Sequence, residues 1–254
     1  MSAPFCHRCE RHHEGDCPPE IPPRPASEPT PSPETLEQML GRIRPAFRPC
    51  SRCSEPTSGG GEPLVCWDCR EREERAARAR ELLEGVVPPE FAWASFGSPL
   101  LAQRCRFDQG VIGRAREAVG SRRVVLVGES GVGKTSLAVA MLRAWVEKRG
   151  APAHFALATD LASARARAPF GRESTEVSDA IFAPLLVLDD LGNDQDVPRS
   201  AVTEVIFKRH AEQRPIWVTT WMGPERMAER YGDGVARRMY EGARVLECKP
   251  RGST

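Results

Sequence analysis

The stretch VVLVGESGVGKTS, residues 124–136, constrains the fold of this chain more than any other. A β-branched run ends at Gly128, and from there the residues fit the pattern G-x-x-x-x-G-K-[ST]. Such a loop wraps phosphate groups with its backbone N–H groups, which requires backbone angles that glycine tolerates best. The helix-forming sequence KTSLAVAMLRAWVEK follows directly, and a helix N-terminus favours an anion. We therefore predict a phosphate-binding loop between a strand and a helix.

The residue types in this loop assign roles toward a nucleoside triphosphate. Lys134 is expected to reach the β- and γ-phosphates, and the hydroxyl of Thr135 is expected to hold Mg²⁺. The predicted ATP-binding set is the whole loop: Gly128, Glu129, Ser130, Gly131, Val132, Gly133, Lys134, Thr135 and Ser136.

Two later strands supply polar residues at their ends. The apolar run FAPLLVLDDLG predicts a buried central strand that ends in Asp189 and Asp190, at the edge where open α/β sheets bind ligands. We expect Asp189 to hold Mg²⁺ through water and Asp190 to orient or deprotonate the attacking water, although two acids at a strand end are also typical of a turn. The strand RPIWVTTWMG ends in Thr219 and Thr220, which are expected beside the γ-phosphate; threonines there are also common as capping residues.

Strands and helices alternate through this region, which predicts an α/β fold with a parallel sheet and helices on both faces. The segment VPPEFAWASF leads into it, and its aromatic residues Phe91, Trp93 and Phe96 are expected to pack on the core or beside the nucleotide base.

Two C-x-x-C pairs indicate a zinc ribbon near the N-terminus. Cys50, Cys53, Cys66 and Cys69 flank a flexible linker containing SGGGE, and Zn²⁺ prefers four such thiolates in a tetrahedron. A redox pair is the alternative, but it does not explain the second C-x-x-C. Residues Cys6, Cys9, His13 (or His12) and Cys17 form a second candidate zinc site with unusually short spacing; the alternative is a metal-affine tail.

Composition limits the classes of function. The 254 residues carry 36 basic and 35 acidic side chains, so a nucleic-acid surface has to be local. There is no apolar run of membrane-spanning length and no signal peptide, which indicates a cytoplasmic protein without a membrane partner. Seven of the nine cysteines lie in the first 69 residues, which in a reducing compartment favours metal binding; Cys105 and Cys248 are interpreted as core residues.

The chain divides into three predicted parts. Residues 1–45 are a proline-rich tail with the second cysteine cluster, 46–86 are the zinc ribbon and a charged helix, and 87–254 are the ATPase domain. In the charged helix, REREERAARARELLEG, acidic and basic residues pair at helical spacing, which suits a solvated face or a docking spacer.

The order GESGVGKTS, LLVLDDLG, VTT and GDGVARRM followed by one strand resembles the AAA+ ATPases of the DnaC/DnaI helicase-loader and IstB transposition-helper group. The resemblance implies Walker A at residues 128–136, Walker B at Asp189 and Asp190, and sensor 1 near Thr219 and Thr220. It implies that Arg238, more than its neighbour Arg237, is an arginine finger that acts on an adjoining subunit, so that the chain self-associates. It also implies no C-terminal helical lid, since the chain ends soon after the last strand.

The same resemblance implies partners. Loaders of this group grip a DnaB-like replicative helicase with the N-terminal domain and contact single-stranded DNA through a helical insertion, for which the matching residues are Arg165, Arg167 and Arg172. These arginines are equally typical of a solvated basic face.

Two departures from the family pattern leave other functions open. Trp221 stands where the group commonly has Asn, and Asp190 stands where most AAA+ enzymes have Glu. The favoured function is an ATP-hydrolysing helicase loader. The alternatives are an IstB-like helper that binds DNA and a transposase, and a zinc-ribbon adaptor that hydrolyses ATP weakly.

Overall fold

The computed structural model describes residues 5–6, 11–12, 47–58, 63–169, 172–194 and 200–250, and for residues 5–6 and 11–12 only the backbone. The chain forms two compact units, Met1–Cys66 and Trp67–Thr254. The sequence TLEQMLGRI, residues 35–43, predicts a short helix, which lies outside the described residues. None of the described helices is long and apolar enough to cross a bilayer.

The N-terminal unit contains two small antiparallel pairs of strands. Strand β1 (Phe5–Cys6) pairs with β2 (Arg11–His12), and β3 (Arg48–Pro49) pairs with β4 (Pro56–Thr57). The second pair carries Cys50 and Cys53 just after β3. It therefore places one C-x-x-C pair at a tight turn, as a zinc knuckle requires.

The C-terminal unit is built on a five-stranded parallel sheet. Its strands are β5 (Arg123–Val127), β6 (His154–Leu157), β7 (Leu186–Leu191), β8 (Ile216–Thr220) and β9 (Arg244–Glu247), and their order across the sheet is β6-β7-β8-β5-β9. All four neighbouring pairs run parallel. The predicted α/β fold is confirmed, with β7, β8 and β5 at the centre of the sheet.

Helices cover both faces of this sheet. The first face carries α1 (Trp67–Leu83), α2 (Pro99–Arg104), α3 (Gln109–Ala118) and α4 (Lys134–Arg149). The second carries α5 (Ala158–Arg167), α6 (Thr175–Phe182), α7 (Val202–Ala211), α8 (Pro224–Tyr231) and α9 (Asp233–Tyr240). A short 3₁₀ helix, Pro89–Phe91, precedes α2.

Successive side chains of the central strands enter two different cores. In β5, Val124 and Leu126 pack with the first set of helices, whereas Val125 packs with the second. All three side chains are fully buried. The apolar runs of the sequence are therefore continuous because a parallel sheet is buried on both faces.

The charged helix α1 packs within the C-terminal unit. Its buried residues Ala79 and Leu83 belong to the first core, and α1 contacts α4. The remaining positions are mostly exposed and charged. Only a narrow stripe of this helix is apolar, which explains why its sequence favours a solvated face.

Candidate nucleotide site and cysteine cluster

The loop between β5 and α4 has the backbone conformation that the glycine pattern predicts. Gly131 and Gly133 have φ values of 75° and 105°, in the left-handed region that suits glycine. A Cβ atom on Gly133 would lie 2.9 Å from the Sγ atom of Cys105. The segment 128–133 therefore requires glycine both for its backbone angles and for close packing on the residue beneath it.

Lys134, the first residue of α4, lies over the start of this loop. Its Nζ atom donates hydrogen bonds to the carbonyls of Gly128 and Glu129 at 2.9 and 2.8 Å. Burial lowers the pKa of Lys134 from its ordinary value. Within the described residues its hydrogen bonds go to neutral carbonyls, while the nearby charges of Asp190 and Asp189 favour its protonated form. An anion placed in the loop would add a direct charged partner.

Thr135 and Asp189 meet at the carboxyl edge of the sheet. The hydroxyl of Thr135 lies 3.1 Å from both carboxylate oxygens of Asp189, and the hydroxyl of Thr219 donates to Asp189 Oδ1 at 2.6 Å. Burial raises the pKa of the Asp189 carboxyl, while these two hydroxyls oppose the shift. A hydroxyl and a carboxylate oxygen are ligands that Mg²⁺ prefers, so this pair fits the metal that the sequence assigns to it.

Asp190 adopts an unusual backbone conformation. Its φ is 60°, and the pairing of β7 with β8 shifts register between Leu188 and Leu191. A bulge of this kind turns a side chain away from the regular alternation of the strand and is common beside active sites. Asp189 and Asp190 can therefore both serve the same edge of the sheet although they are adjacent in the chain.

Asn193 is a residue of this site that the sequence did not single out. Its Nδ2 atom donates to Asp190 Oδ2 at 2.7 Å and so fixes the carboxylate that is expected to act on water. The only signal in the sequence is its position three residues after the acid, in a turn around Gly192.

The two threonines at the end of β8 have different environments. Thr219 Oγ1 contacts Asp189 and accepts a hydrogen bond from the backbone N–H of Asp190 at 2.9 Å. Thr220 is fully buried, and its hydroxyl donates to the carbonyl of Leu191 at 2.6 Å and accepts from the N–H of Met222 at 3.1 Å. Thr219 contacts the acids directly, whereas Thr220 fixes the backbone that follows both strands.

A cleft of about 480 Å³ joins these residues to the lead-in segment. Phe91, Trp93 and Arg104 line it together with the phosphate loop and both acids. The Arg104 guanidinium lies 4.6 Å from the centre of the Trp93 ring. Trp93 and Phe96 also pack against the first core. The lead-in thus attaches to the core and forms a wall of the cleft, which combines the two interpretations of its aromatic residues.

The arginines of α9 lie away from the phosphate loop. The main-chain carbonyl of Arg238 accepts a hydrogen bond from Arg123, at the start of β5, whereas the phosphate loop follows the end of β5. The Arg238 guanidinium stacks on Phe207 at 4.3 Å and donates to the carbonyl of Gly234 at 2.9 Å. Arg237 is exposed and lies 4.0 Å from Glu241. Arg238 therefore lies at the opposite edge of the sheet from the phosphate loop of its own chain.

The three arginines assigned to DNA have different surroundings. Arg165 forms ion pairs with Glu173 at 2.7 Å and Glu204 at 2.6 Å, which compensate its charge. Arg167 is exposed and folds back along its own helix, donating to the carbonyl of Asp160 at 3.0 Å. Arg172 is exposed on the loop that follows α5. Arg167 and Arg172 remain accessible, while Arg165 contributes to the structure around α7.

The sulfur atoms of Cys50, Cys53, Cys66 and Cys69 all lie within 4.8 Å of one another. The Sγ atoms of Cys53 and Cys66 are 3.6 Å apart, close to the roughly 3.8 Å edge of a tetrahedron of thiolates around Zn²⁺. The N–H groups of Cys66 and Arg52 donate to Cys50 Sγ and lower the pKa of this thiol to about 6. The four cysteines fit a zinc site, because they combine tetrahedral spacing with a stabilised thiolate.

The remaining cysteines divide into two groups. Cys9, His13 and Cys17 lie outside the described residues, as do the side chains of Cys6 and His12, so the second candidate zinc site stays a prediction. Cys105 and Cys248 are buried in the first core, and burial raises the pKa of Cys248 to about 12.

Part of this chain, including the phosphate loop and both acids, is similar to known ATP-binding proteins. Residues 119–237 match the model of the IstB-like ATP-binding protein family. The crystal structure of the DnaC helicase loader is 24% identical, with a TM-score of 0.52, and the match covers 63% of this chain and 99% of that chain. The crystal structure of DnaI is 21% identical, with a TM-score of 0.50 and coverages of 64% and 91%. No curated protein matches this chain.

Proposed function

We propose that this chain binds and hydrolyses ATP at the carboxyl edge of its sheet and that it handles a replicative helicase on DNA. The proposal starts from residues 119–237, which match the IstB-like ATP-binding family, and from the DnaC-like AAA+ fold. The observation that carries the ATPase assignment is the convergence of Lys134, Thr135, Asp189 and Thr219 on one edge. No two of these residues except the first pair are neighbours in the sequence.

The residues of the edge divide the chemistry among them. The N–H groups of the loop and the ammonium of Lys134 bind the phosphates and offset the charge that develops on them. Thr135 and Asp189 hold Mg²⁺, which supplies further charge at the phosphate oxygens. Asp190 accepts the proton of the attacking water, and Asn193 orients its carboxylate through the 2.7 Å hydrogen bond.

Thr219 links γ-phosphate occupancy to the fold. Its hydroxyl contacts Asp189, and its oxygen accepts from the backbone of Asp190, so a change at either acid acts on the end of β8. Phe91 and Trp93 supply an apolar wall for the nucleotide base. Trp221 stands at the position where the family commonly has Asn. The guanidinium of Arg226 lies 5.4 Å from the centre of its indole ring.

The helicase and DNA parts of the proposal rest on the family likeness. A DnaC-like fold favours a DnaB-like helicase as partner, self-association through the ATPase domain, and a cytoplasmic location. The exposed residues Arg167 and Arg172 are the accessible contacts for single-stranded DNA on this side of the sheet. The cysteine module is the proposed docking arm for the helicase.

Two other functions fit part of the same observations. The IstB-like family match favours a helper of a transposase, which shares the ATP site. A zinc-ribbon adaptor that hydrolyses ATP weakly is favoured by Trp221 beside sensor 1. Both alternatives retain ATP and Zn²⁺ and differ in the protein partner.

The partner is identified by affinity purification from a host lysate with the full-length chain as bait, in the presence of a slowly hydrolysed ATP analogue. We expect recovery of a hexameric replicative helicase, and its loss with the variant Cys50→Ser/Cys66→Ser, because the docking arm depends on the thiolates. Recovery of a transposase instead would replace the loader with the transposition helper.

Replacing Arg238 by alanine is expected to leave ATP affinity unchanged and to lower hydrolysis by the assembled protein on the order of 10³-fold, because an arginine finger stabilises the transition state in trans. Arg237→Ala is the matched control, since Arg237 is adjacent and exposed. Mixing Arg238→Ala chains with Asp190→Asn chains should restore part of the activity, because in one of the two orientations of a mixed interface an intact finger meets an intact acid. Equal hydrolysis by the two alanine variants contradicts the finger.

A further inference from the structure

The amino edge of the sheet, opposite the phosphate loop, carries a row of arginines. Arg123 begins β5, Arg122 precedes it, Arg214 lies shortly before β8, and Arg244 begins β9. The strands β8, β5 and β9 are adjacent, and Arg123 is in register with Ile216. With strands about 4.8 Å apart, the row spans about 10 Å along the edge.

The middle of this row is a small pocket with an arginine floor. Its volume is about 10 Å³, enough for a single oxygen-sized group, and its lining includes Arg122, Arg123, Arg209, His210, Arg214 and Arg238. Arg209 is fully buried and donates to the carbonyls of Ala180, Ile181, Ala183 and Pro215, all of them neutral. Within the described residues its Nε atom has no hydrogen-bond partner.

The positive charge here exceeds the local negative charge. Within the described residues, the carboxylates near this edge include Glu212, which pairs with Arg214 at 2.5 Å, Glu241, which lies 4.0 Å from Arg237, and Glu117, which lines a shallow pocket with Arg114 and Arg244. Burial lowers the pKa of His210, and the charges of Arg123, Arg238 and Arg237 lower it further, against a smaller opposing effect of Glu241. Around His210 the arginine charges therefore outweigh the charge of Glu241.

The carboxyl side of the sheet differs in this respect. There Arg165 is neutralised by two glutamates. At the amino edge, Arg122 donates to the neutral side chain of Gln213 at 3.1 Å, and Arg244 is exposed. Within the described residues neither of these two guanidinium groups forms an ion pair, although Glu117 lines the same shallow pocket as Arg244.

We propose that this row of arginines binds the phosphodiester backbone of a nucleic acid. Arginine suits phosphate because its planar fork donates two hydrogen bonds to two oxygens. A row of about 10 Å is longer than one phosphate group and spans two neighbouring phosphates of a strand, whose separation along the backbone exceeds the roughly 3.4 Å rise along the helix axis. The pocket, which Arg122 lines, receives an oxygen of one phosphate, and Arg244 on the neighbouring strand binds the next phosphate. The inference goes beyond the ATPase function and does not depend on it.

The test measures binding of a fluorescein-labelled 20-nucleotide oligonucleotide, single-stranded and as a duplex, by fluorescence anisotropy of the full chain across a salt titration. The variant Arg122→Gln/Arg244→Gln is expected to weaken binding about 20-fold or more near 0.1 M salt and to reduce the slope of log K against log[salt] by roughly 1.4 for single strands and 1.8 for duplex. Arg122→Lys/Arg244→Lys should restore most of the affinity, because it restores the two charges.

Two further variants distinguish binding at the amino edge from a general effect of net charge and from binding beside α5. Arg72→Gln/Arg78→Gln removes two exposed charges from α1 and should change affinity less than twofold; an equal loss with this control would reduce the effect to net charge and overturn the proposal. Arg167→Gln/Arg172→Gln tests the DNA contact at the other side of the sheet. If only this last pair weakens binding, the amino-edge site is wrong while the DNA contact beside α5 stands. If no pair weakens binding, both are wrong, and ATP binding by each variant shows that the fold is intact.

Discussion

Replacing Lys134 by alanine is expected to lower ATP affinity about 100-fold and to abolish turnover. Lys134 Nζ lies 2.9 and 2.8 Å from the carbonyls of Gly128 and Glu129, at the mouth of the phosphate loop. In the complex with ATP its ammonium would pair with phosphate oxygens, and truncating one partner of a buried charge pair costs about 3 kcal/mol, which corresponds to roughly two decades of affinity. Calorimetric titration with ATP and Mg²⁺ measures the affinity, and phosphate release measures the turnover.

Lys148→Ala is the matched control for this variant. Lys148 lies on the same helix but is exposed, away from the loop, so its removal should leave both measurements unchanged. Turnover of Lys134→Ala at the parental rate would remove the assignment of the loop as the nucleotide site.

Replacing Cys50 and Cys66 together by serine is expected to remove one zinc ion per chain and to unfold the cysteine module. The tetrahedral spacing of the four sulfurs implies that each thiolate contributes to the site, and structural zinc supplies on the order of 10 kcal/mol of apparent binding free energy in small modules. Metal content by atomic emission and protease sensitivity near residue 60 measure the two effects. ATP binding should persist, since the nucleotide site is built from β5, α4, β7 and β8.

Cys248→Ala provides the control for the metal content. The pKa of Cys248 is raised to about 12 by burial, so it remains a thiol and is a poor metal ligand. Its replacement should leave the zinc content at the parental value. A purified parental protein with a folded cysteine module and no zinc would contradict the zinc assignment.

Most of the nucleotide site could be predicted because its chemistry requires particular residues in a fixed order. The phosphate loop needs glycine at positions of positive φ, and Gly131 and Gly133 have such angles. The proximity of Thr135 and Asp189 followed from their positions at the carboxyl ends of β5 and β7 in one parallel sheet, and their side chains lie 3.1 Å apart. The assignment of their roles in catalysis stays a proposal.

The contribution of individual side chains around this site could not be predicted. Asn193 orients Asp190 because a bulge in β7 turns the second acid, and a bulge leaves no clear signal in a run such as LLVLDD. Thr219 and Thr220 look equivalent in the sequence, yet successive residues of a strand face opposite sides, so only Thr219 contacts the acids.

The α/β class, the phosphate loop and the four cysteines can be read from the sequence, because periodicity, glycine positions and cysteine spacing are local properties of the chain. Which arginine side chains form ion pairs depends on the tertiary structure. The charge of Arg165 is compensated by ion pairs with Glu173 and Glu204. Arg122 and Arg244 are distant in the sequence and belong to none of the motifs, yet the pairing of β5 with β9 brings them to the same edge of the sheet. Electrostatic compensation depends on distances of a few ångströms in space, and strand order sets these distances.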